Sequence, residues 1–216
     1  MMRRREIIAA DGVGYIRDGL VLWLDGIDKG PTAGAWTDKA AGHVFESING
    51  FENGPNYVGV SAASSQYLRN ASFTSPATLN GTIEVVITDY ESKSLIFMPK
   101  ANVELAFGIT TAGDKIICST RGGTKTINIT FGAKVFSICN ETLAIVDGAA
   151  ATFSTGDAWG SADNNYNYIG RRNSSNNYQA TAKIHAIRMY DRLLTQAEML
   201  HNQRIDNKRY NIGIII

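Results

Sequence analysis

From Gly81 onward, apolar and polar positions alternate with the period of two that strands require. Residues 81–90 set Ile83, Val85 and Ile87 on one face against Thr82, Glu84, Val86 and Thr88 on the other, a half-buried strand. The same pattern predicts strands at 95–98, 103–109, 115–120, 126–131, 135–140, 143–146 and 151–153. Gly122-Gly123 and Asp147-Gly148 supply the positive φ that tight hairpins need. Upstream, residues 18–25 carry Leu20, Leu22 and Leu24 on one face and Val21 and Trp23 on the other, which implies cover on both sides. A loop around Trp36 is expected over 26–42, then short strands at 43–46, 57–60 and 67–69. Many short strands separated by turns specify an antiparallel sandwich.

The alternation fails twice. Residues 156–179 form a long stretch rich in Tyr, Trp and Asn, expected as loop around a strand piece at Ile169-Gly170. In the strand 183–190, Ile184 and Ala186 fall on one face and Ile187 and Met189 on the other, so both faces are partly covered, as a loop lapping the strand would do, or a bulge shifts the register near His185. Beyond it, Thr195 and Glu198 have the spacing of a capping box, and Leu194 and Met199 that of a hydrophobic staple. A short helix to about residue 205 follows, and the apolar tail 212–216 is expected as a closing edge strand.

Several of these segments carry a resemblance. Tyr168-Ile169-Gly170-Arg171-Arg172, the strand ending Met189-Tyr190, and Asp191-Arg192-Leu193-Leu194-Thr195 with Glu198 resemble the C-terminal signature of laminin-G-like jelly rolls in the concanavalin A-like lectin/glucanase superfamily. Residues 18–26, Trp36-Thr37-Asp38, Ser65-Gln66-Tyr67-Leu68 and Asp147-Gly148 are similar to its earlier landmarks. The resemblance implies an all-β antiparallel β-sandwich (jelly roll) with one short C-terminal α-helix. It covers strand and turn residues, so it speaks for fold and is nearly silent on ligand.

Composition narrows the function. A chain of 216 residues is an ordinary size for one sandwich, and we expect an N-terminal tail over 1–14 and one jelly-roll domain over 15–216. Lys and Arg number 21 against 20 acids, so no global field favours nucleic acid or an anionic membrane. The apolar run after Arg3-Arg4-Arg5 is too short for a signal-peptide core or a membrane span, and it reads as a frayed basic tail. A place on a cell surface or a virion stays compatible with the chain. Cys118 and Cys139 lie in predicted strands and are expected as buried free thiols.

Catalytic chemistry is thinly represented. The superfamily's glycosidases carry Glu-x-Asp-x-x-Glu on one strand face, and this chain has nothing of that form. Glu84 and Asp89 fall on opposite faces of a regular strand, while His43, His185 and His201 lack metal-ligand spacing. Asp25, Asp28 and Asp38 bracket a Gly-containing loop and could ring a calcium ion, but without a calcium-loop spacing they are expected as turn and cap residues. Binding remains. Sugars offer hydroxyl edges and C–H faces, which suit aromatic platforms beside fixed polar groups. Trp159, Asn165, Tyr166, Tyr168, Arg171, Asn177 and Tyr178 are the candidates, giving a noncatalytic lectin-like module that binds carbohydrate through rim loops. The rivals are a structural or adhesion module with a protein partner, such as a surface or phage-tail component, and a glycoside hydrolase with an unrecognised carboxylate pair.

Overall fold

A computed structural model describes residues 14–70, 72–75, 81–91, 95–99, 106–109, 115–120, 123–130, 132–139, 142–154, 164–171 and 179–216. Strands are numbered in chain order. An eight-stranded sheet runs β15 (Ala149–Ala151), β14 (Leu143–Val146), β13 (Val135–Cys139), β8 (Thr82–Thr88), β17 (Ala182–Tyr190), β5 (Val58–Val60) and β4 (Glu52–Asn53), with β1 (Leu20–Asp25) also paired to β17. A nine-stranded sheet runs β12 (Gly123–Asn128), β11 (Lys115–Thr120), β10 (Ala106–Ile109), β9 (Leu95–Pro99), β16 (Asn164–Ile169), β6 (Tyr67–Arg69), β3 (Val44–Ile48) and β2 (Ala35–Thr37), with β7 (Thr74–Ser75) also on β16. The pairings are antiparallel, and the chain crosses repeatedly between the sheets. The fold is the expected all-β sandwich with one C-terminal helix.

Inward side chains of both sheets make one core. Leu22, Leu24, Ile83, Val85, Ile87, Phe136, Ile184, Ile187 and Met189 meet Trp36, Phe45, Leu68, Ile116, Ile127 and Ile169 across it. The 147–148 turn has Asp147 at φ 47° and Gly148 at φ 84°, and it joins the paired residues Val146 and Ala149 as a two-residue hairpin. Gly123, by contrast, is paired with Thr120 as the first residue of β12 and does not serve the turn.

β17 is the axis of the eight-stranded sheet. One edge pairs with β8 throughout, while the other is shared between β5 at Ala182–Ile184 and β1 at Ala186–Tyr190. Ile184 opposes Ile87 and Ala186 opposes Val86, so His185 is the extra residue of a bulge. That bulge brings Ile184, Ile187 and Met189 onto the inward face and leaves Ala186, Arg188 and Tyr190 facing outward.

The outward face is not solvated. A third layer, α1 (Gln196–Tyr210), lies on it. The half-buried strand expected at 81–90 is therefore buried on both faces from Thr82 to Ile87. The cover on β17 is a helix where a loop was expected. Both capping-box bonds form: the Glu198 amide donates to Thr195 Oγ1 at 3.3 Å and the Thr195 amide to Glu198 Oε2 at 2.8 Å. Leu194 and Met199 are buried in one cluster, as the staple requires. The helix continues to Tyr210 rather than ending near 205, with Lys208 and Arg209 in its last turn and Asn211 as a left-handed cap. The tail is not an edge strand. Ile212 packs on Val86, Val135 and Ala186, and the Asn207 amide bonds both backbone groups of Ile214, at 2.7 and 3.0 Å.

Two further expectations change. Trp36 sits on β2, not in a loop, and its indole donates to the Asp25 carbonyl at 2.9 Å. Asn164–Ile169, expected largely as loop, is a strand inside the nine-stranded sheet between β9 and β6. Pairing on both edges overrides the turn preference of its asparagines.

Candidate functional site

Among the described residues no layer covers the outward face of the nine-stranded sheet at β3, β6 and Tyr168 of β16, and Val44, Glu46 and Arg69 are exposed there. Leu68 and Ile169 turn inward and are buried, so Tyr67, Arg69 and Tyr168 turn outward. The Tyr67 and Tyr168 rings stand 5.9 Å apart between centroids, tilted by 52°. The Arg171 guanidinium carbon lies 4.7 Å above the Tyr67 ring. Beside them Arg69 faces Glu46 at 3.8 Å, with side chains 53% and 68% exposed.

Of the candidate site residues, Tyr168 and Arg171 are thus brought together through Tyr67, which the sequence marked as a fold landmark and not as a site residue. Asn165 and Tyr166 lie on the same strand, opposite Thr74 and Pro99. Arg171 bridges to Gln179 across the base of the segment that holds Asn177 and Tyr178. Trp159, Asn177 and Tyr178 lie outside the described residues.

The other outward face holds its polar groups shut. Beneath α1, Arg188 is enclosed between two carboxylates: its Nε donates to Glu84 Oε2 and its Nη1 to Asp206 Oδ1, both at 2.8 Å, and its Nη2 donates to Asp206 Oδ2. All three residues are at most 1% exposed. Glu84 also accepts from Ser137 Oγ at 3.1 Å and Asn202 Nδ2 at 2.9 Å, and Tyr15 donates to Asp206 at 2.7 Å. Burial pushes the Glu84 carboxyl above its usual range against the pull of Arg188. Glu84 and Asp206 thus share one cation, and both are buried away from any surface.

The loop aspartates are also engaged. Asp38 accepts three backbone amides, those of Trp23, Ala40 and Ala41. Asp25 accepts from Tyr210 Oη and the Arg209 guanidinium, and Asp28 pairs with Lys39 at 2.9 Å. Among the described residues no group of three or more His, Cys, Asp or Glu side chains is placed to hold a metal ion. Cys139 is a buried free thiol.

A groove of about 420 Å³ opens where β8 and β17 meet the C-terminal end of α1. Its lining includes Thr88, Asp89, Lys134, His185, Asn211 and Ile212. His185 stands between the rings of Tyr57 and Tyr210, at 5.8 and 5.6 Å. Its Nδ1 is 2.9 Å from the Asn56 carbonyl, which can only accept, so Nδ1 carries a proton. Nε2 stands 2.9 Å from Thr88 Oγ1. Burial lowers the His185 pKa, which favours the neutral ring and leaves Nε2 to accept from the hydroxyl.

No family model matches the chain, and no curated protein matches it in sequence. Solved structures do match its fold. Trypanosoma rangeli sialidase in complex with sialic acid aligns over 90% of this chain and 34% of its own, with a TM-score of 0.57 and 15% identity. The binding domain of botulinum neurotoxin DC in complex with SialylT aligns over 87% of this chain and 52% of its own, with a TM-score of 0.61 and 10% identity. The same domain in complex with rat synaptotagmin II gives 0.61 at 11% identity, over 88% of this chain and 52% of its own. The chain thus spans about a third of the sialidase and about half of the toxin domain. What these likenesses share with the chain is a β-sandwich fold.

Proposed function

We propose that the chain is a noncatalytic, lectin-like carbohydrate-binding module of the concanavalin A-like, laminin-G-like type, acting through the open face and rim around β16. The observation that carries this reading is the outward grouping of Tyr67, Tyr168 and Arg171. Paired aromatic rings offer area to the C–H face of a sugar, and a guanidinium offers several fixed donors to its hydroxyls. To the same site we assign Asn165, Tyr166, Trp159, Asn177 and Tyr178. For the noncatalytic part, the support is that Glu84 and Asp206, a close pair of carboxylates, are enclosed around Arg188 rather than lining an open groove on either side of a bond as hydrolysis requires. Fold neighbours solved with sialic acid and with SialylT add support at the level of the fold.

A glycan array tests the reading. Retention of at least one glycan is expected, with Tyr168→Ala and Arg171→Ala each weakening it about tenfold, or 1.4 kcal/mol. Trp159→Ala and Tyr178→Ala are expected to weaken it as well. An array with no glycan retained, together with capture of a defined protein partner by the same face, would replace this reading with that of an adhesion module. The fold neighbour solved with synaptotagmin II motivates that second arm.

A further inference from the structure

We propose that the groove beside His185 is a second binding site, separate from the β16 rim, for a small neutral polyol of the mono- or disaccharide class. The groove is pre-formed because its floor is fixed. His185 is held at both ring nitrogens and between two tyrosine rings, and the bulge at this residue aims it at the groove. A volume of about 420 Å³ lies in the range of small-ligand sites, roughly 300–1,000 Å³, toward the small end.

The lining chemistry selects the ligand class. Asp89 can only accept, Lys134 can only donate, and the Asn211 amide does both. The Lys134 ammonium spends one donor on the Ile212 carbonyl at 2.7 Å, which leaves donors for a ligand. Asp89 already has a counter-charge in Lys183, 2.7 Å away, so a ligand ammonium would gain little there. Lys134 likewise has a counter-charge nearby in Asp147, so the groove favours neither an anion nor a cation. A ligand that satisfies both an acceptor and a donor of one groove without charge is one with several hydroxyls. Ile212 and Tyr210 give its C–H groups an apolar wall. Register places the groove near the rim end of the sandwich: Thr88 opposes Lys183, and Thr181 just upstream pairs its carbonyl with the Glu91 amide.

The test is a titration of the ¹⁵N-labelled full chain followed by amide chemical shifts. The probes are methyl α-D-glucopyranoside, methyl β-D-galactopyranoside and lactose, with glycine as a zwitterionic control. Saturable shifts at Asp89, Lys134 and Asn211 with at least one glycoside are expected. Asp89→Asn tolerates the left-handed backbone at this position, φ 49°, and should weaken that binding at least tenfold. Lys134→Gln should weaken it too, and Tyr168→Ala should leave it unchanged. Groove and rim responses fall on different residues, so the site stands or falls apart from the rim. No shift at these amides at tens of millimolar of every glycoside, a response to glycine alone, or an affinity indifferent to Asp89→Asn would each overturn the proposal.

Discussion

The two outward faces of this sandwich use the same chemistry to opposite ends. Under α1, Arg188 meets Glu84 and Asp206 with all three side chains at most 1% exposed. On the nine-stranded sheet, Arg69 meets Glu46 at 3.8 Å with both side chains more than half exposed. In water such a pair gains little beyond its entropy cost. Sealed under a helix, each charge depends on its partner, because desolvation without compensation costs several kcal/mol per ion. The covered face therefore spends its polar residues on holding a layer in place. On the open face Arg69 and Glu46 stay more than half exposed, and no such layer is held by them.

The largest expected effect follows directly. Arg188→Leu strands two buried carboxylates and should destabilise the fold by about 3–5 kcal/mol in urea denaturation. Arg69→Leu should change stability by about 1 kcal/mol or less. Equal costs would erase the distinction between the faces, and a negligible cost at Arg188 would mean that α1 does not rest on it.

The helix start provides a middle-sized test with a pH signature. Thr195→Ala should cost about 1 kcal/mol through loss of the cap, read as a shift in the denaturation midpoint. Burial acts to raise the Glu198 carboxyl, but hydrogen bonds from Arg192 and Thr195 outweigh it and hold it at about 2, from an ordinary 4.5. A folded-state value below the unfolded one means that the stabilisation is fully present above about 4.5 and is lost as pH falls toward 2. Glu198→Gln should remove that part of the acid sensitivity. Glu84 is shifted upward by burial, so its own contribution declines as pH rises above the ordinary glutamate range, the opposite sign. An acid limb unchanged in Glu198→Gln would show that the cap does not couple to the fold.

The strands on the covered side were legible where period-two patterns and local turn chemistry act over a few residues. The strands at 82–88, 135–139 and 143–146, the Asp147-Gly148 hairpin, the bulge at His185 and the capping box all rest on such short-range rules. The helix surface was not legible, because its buried side carries Asn202, Gln203 and Asp206 beside Met199 and Tyr210. A polar stripe reads as a solvent face when taken alone. Its partners lie far away in sequence: Asn202 bonds Glu84, and Gln203 bonds Ser137 at 2.9 Å. β16 was hidden for a related reason, since Asn-Asn-Tyr-Asn-Tyr resembles a loop until both flanking strands are in place. At the candidate site, Tyr168 and Arg171 could be named from composition, but Tyr67, which links them, belongs to a strand about a hundred residues earlier. Nothing local marks that contact.

The smallest expected effect on stability is the most pointed test of the open face. Tyr168 is half-buried, and its ring meets that of Tyr67, itself partly exposed. Loss of a tilted aromatic pair forfeits about 0.5–1.5 kcal/mol where the rings are well packed. On a solvated face, water recovers part of that, and surface substitutions away from structural features usually stay within about 0.5 kcal/mol. Tyr168→Ala should therefore leave the urea midpoint nearly unchanged while the glycan affinity falls about tenfold. A loss of stability comparable to that of Arg188→Leu would show that the aromatic pair supports the sheet, and the open face would then be a second fold-keeping surface.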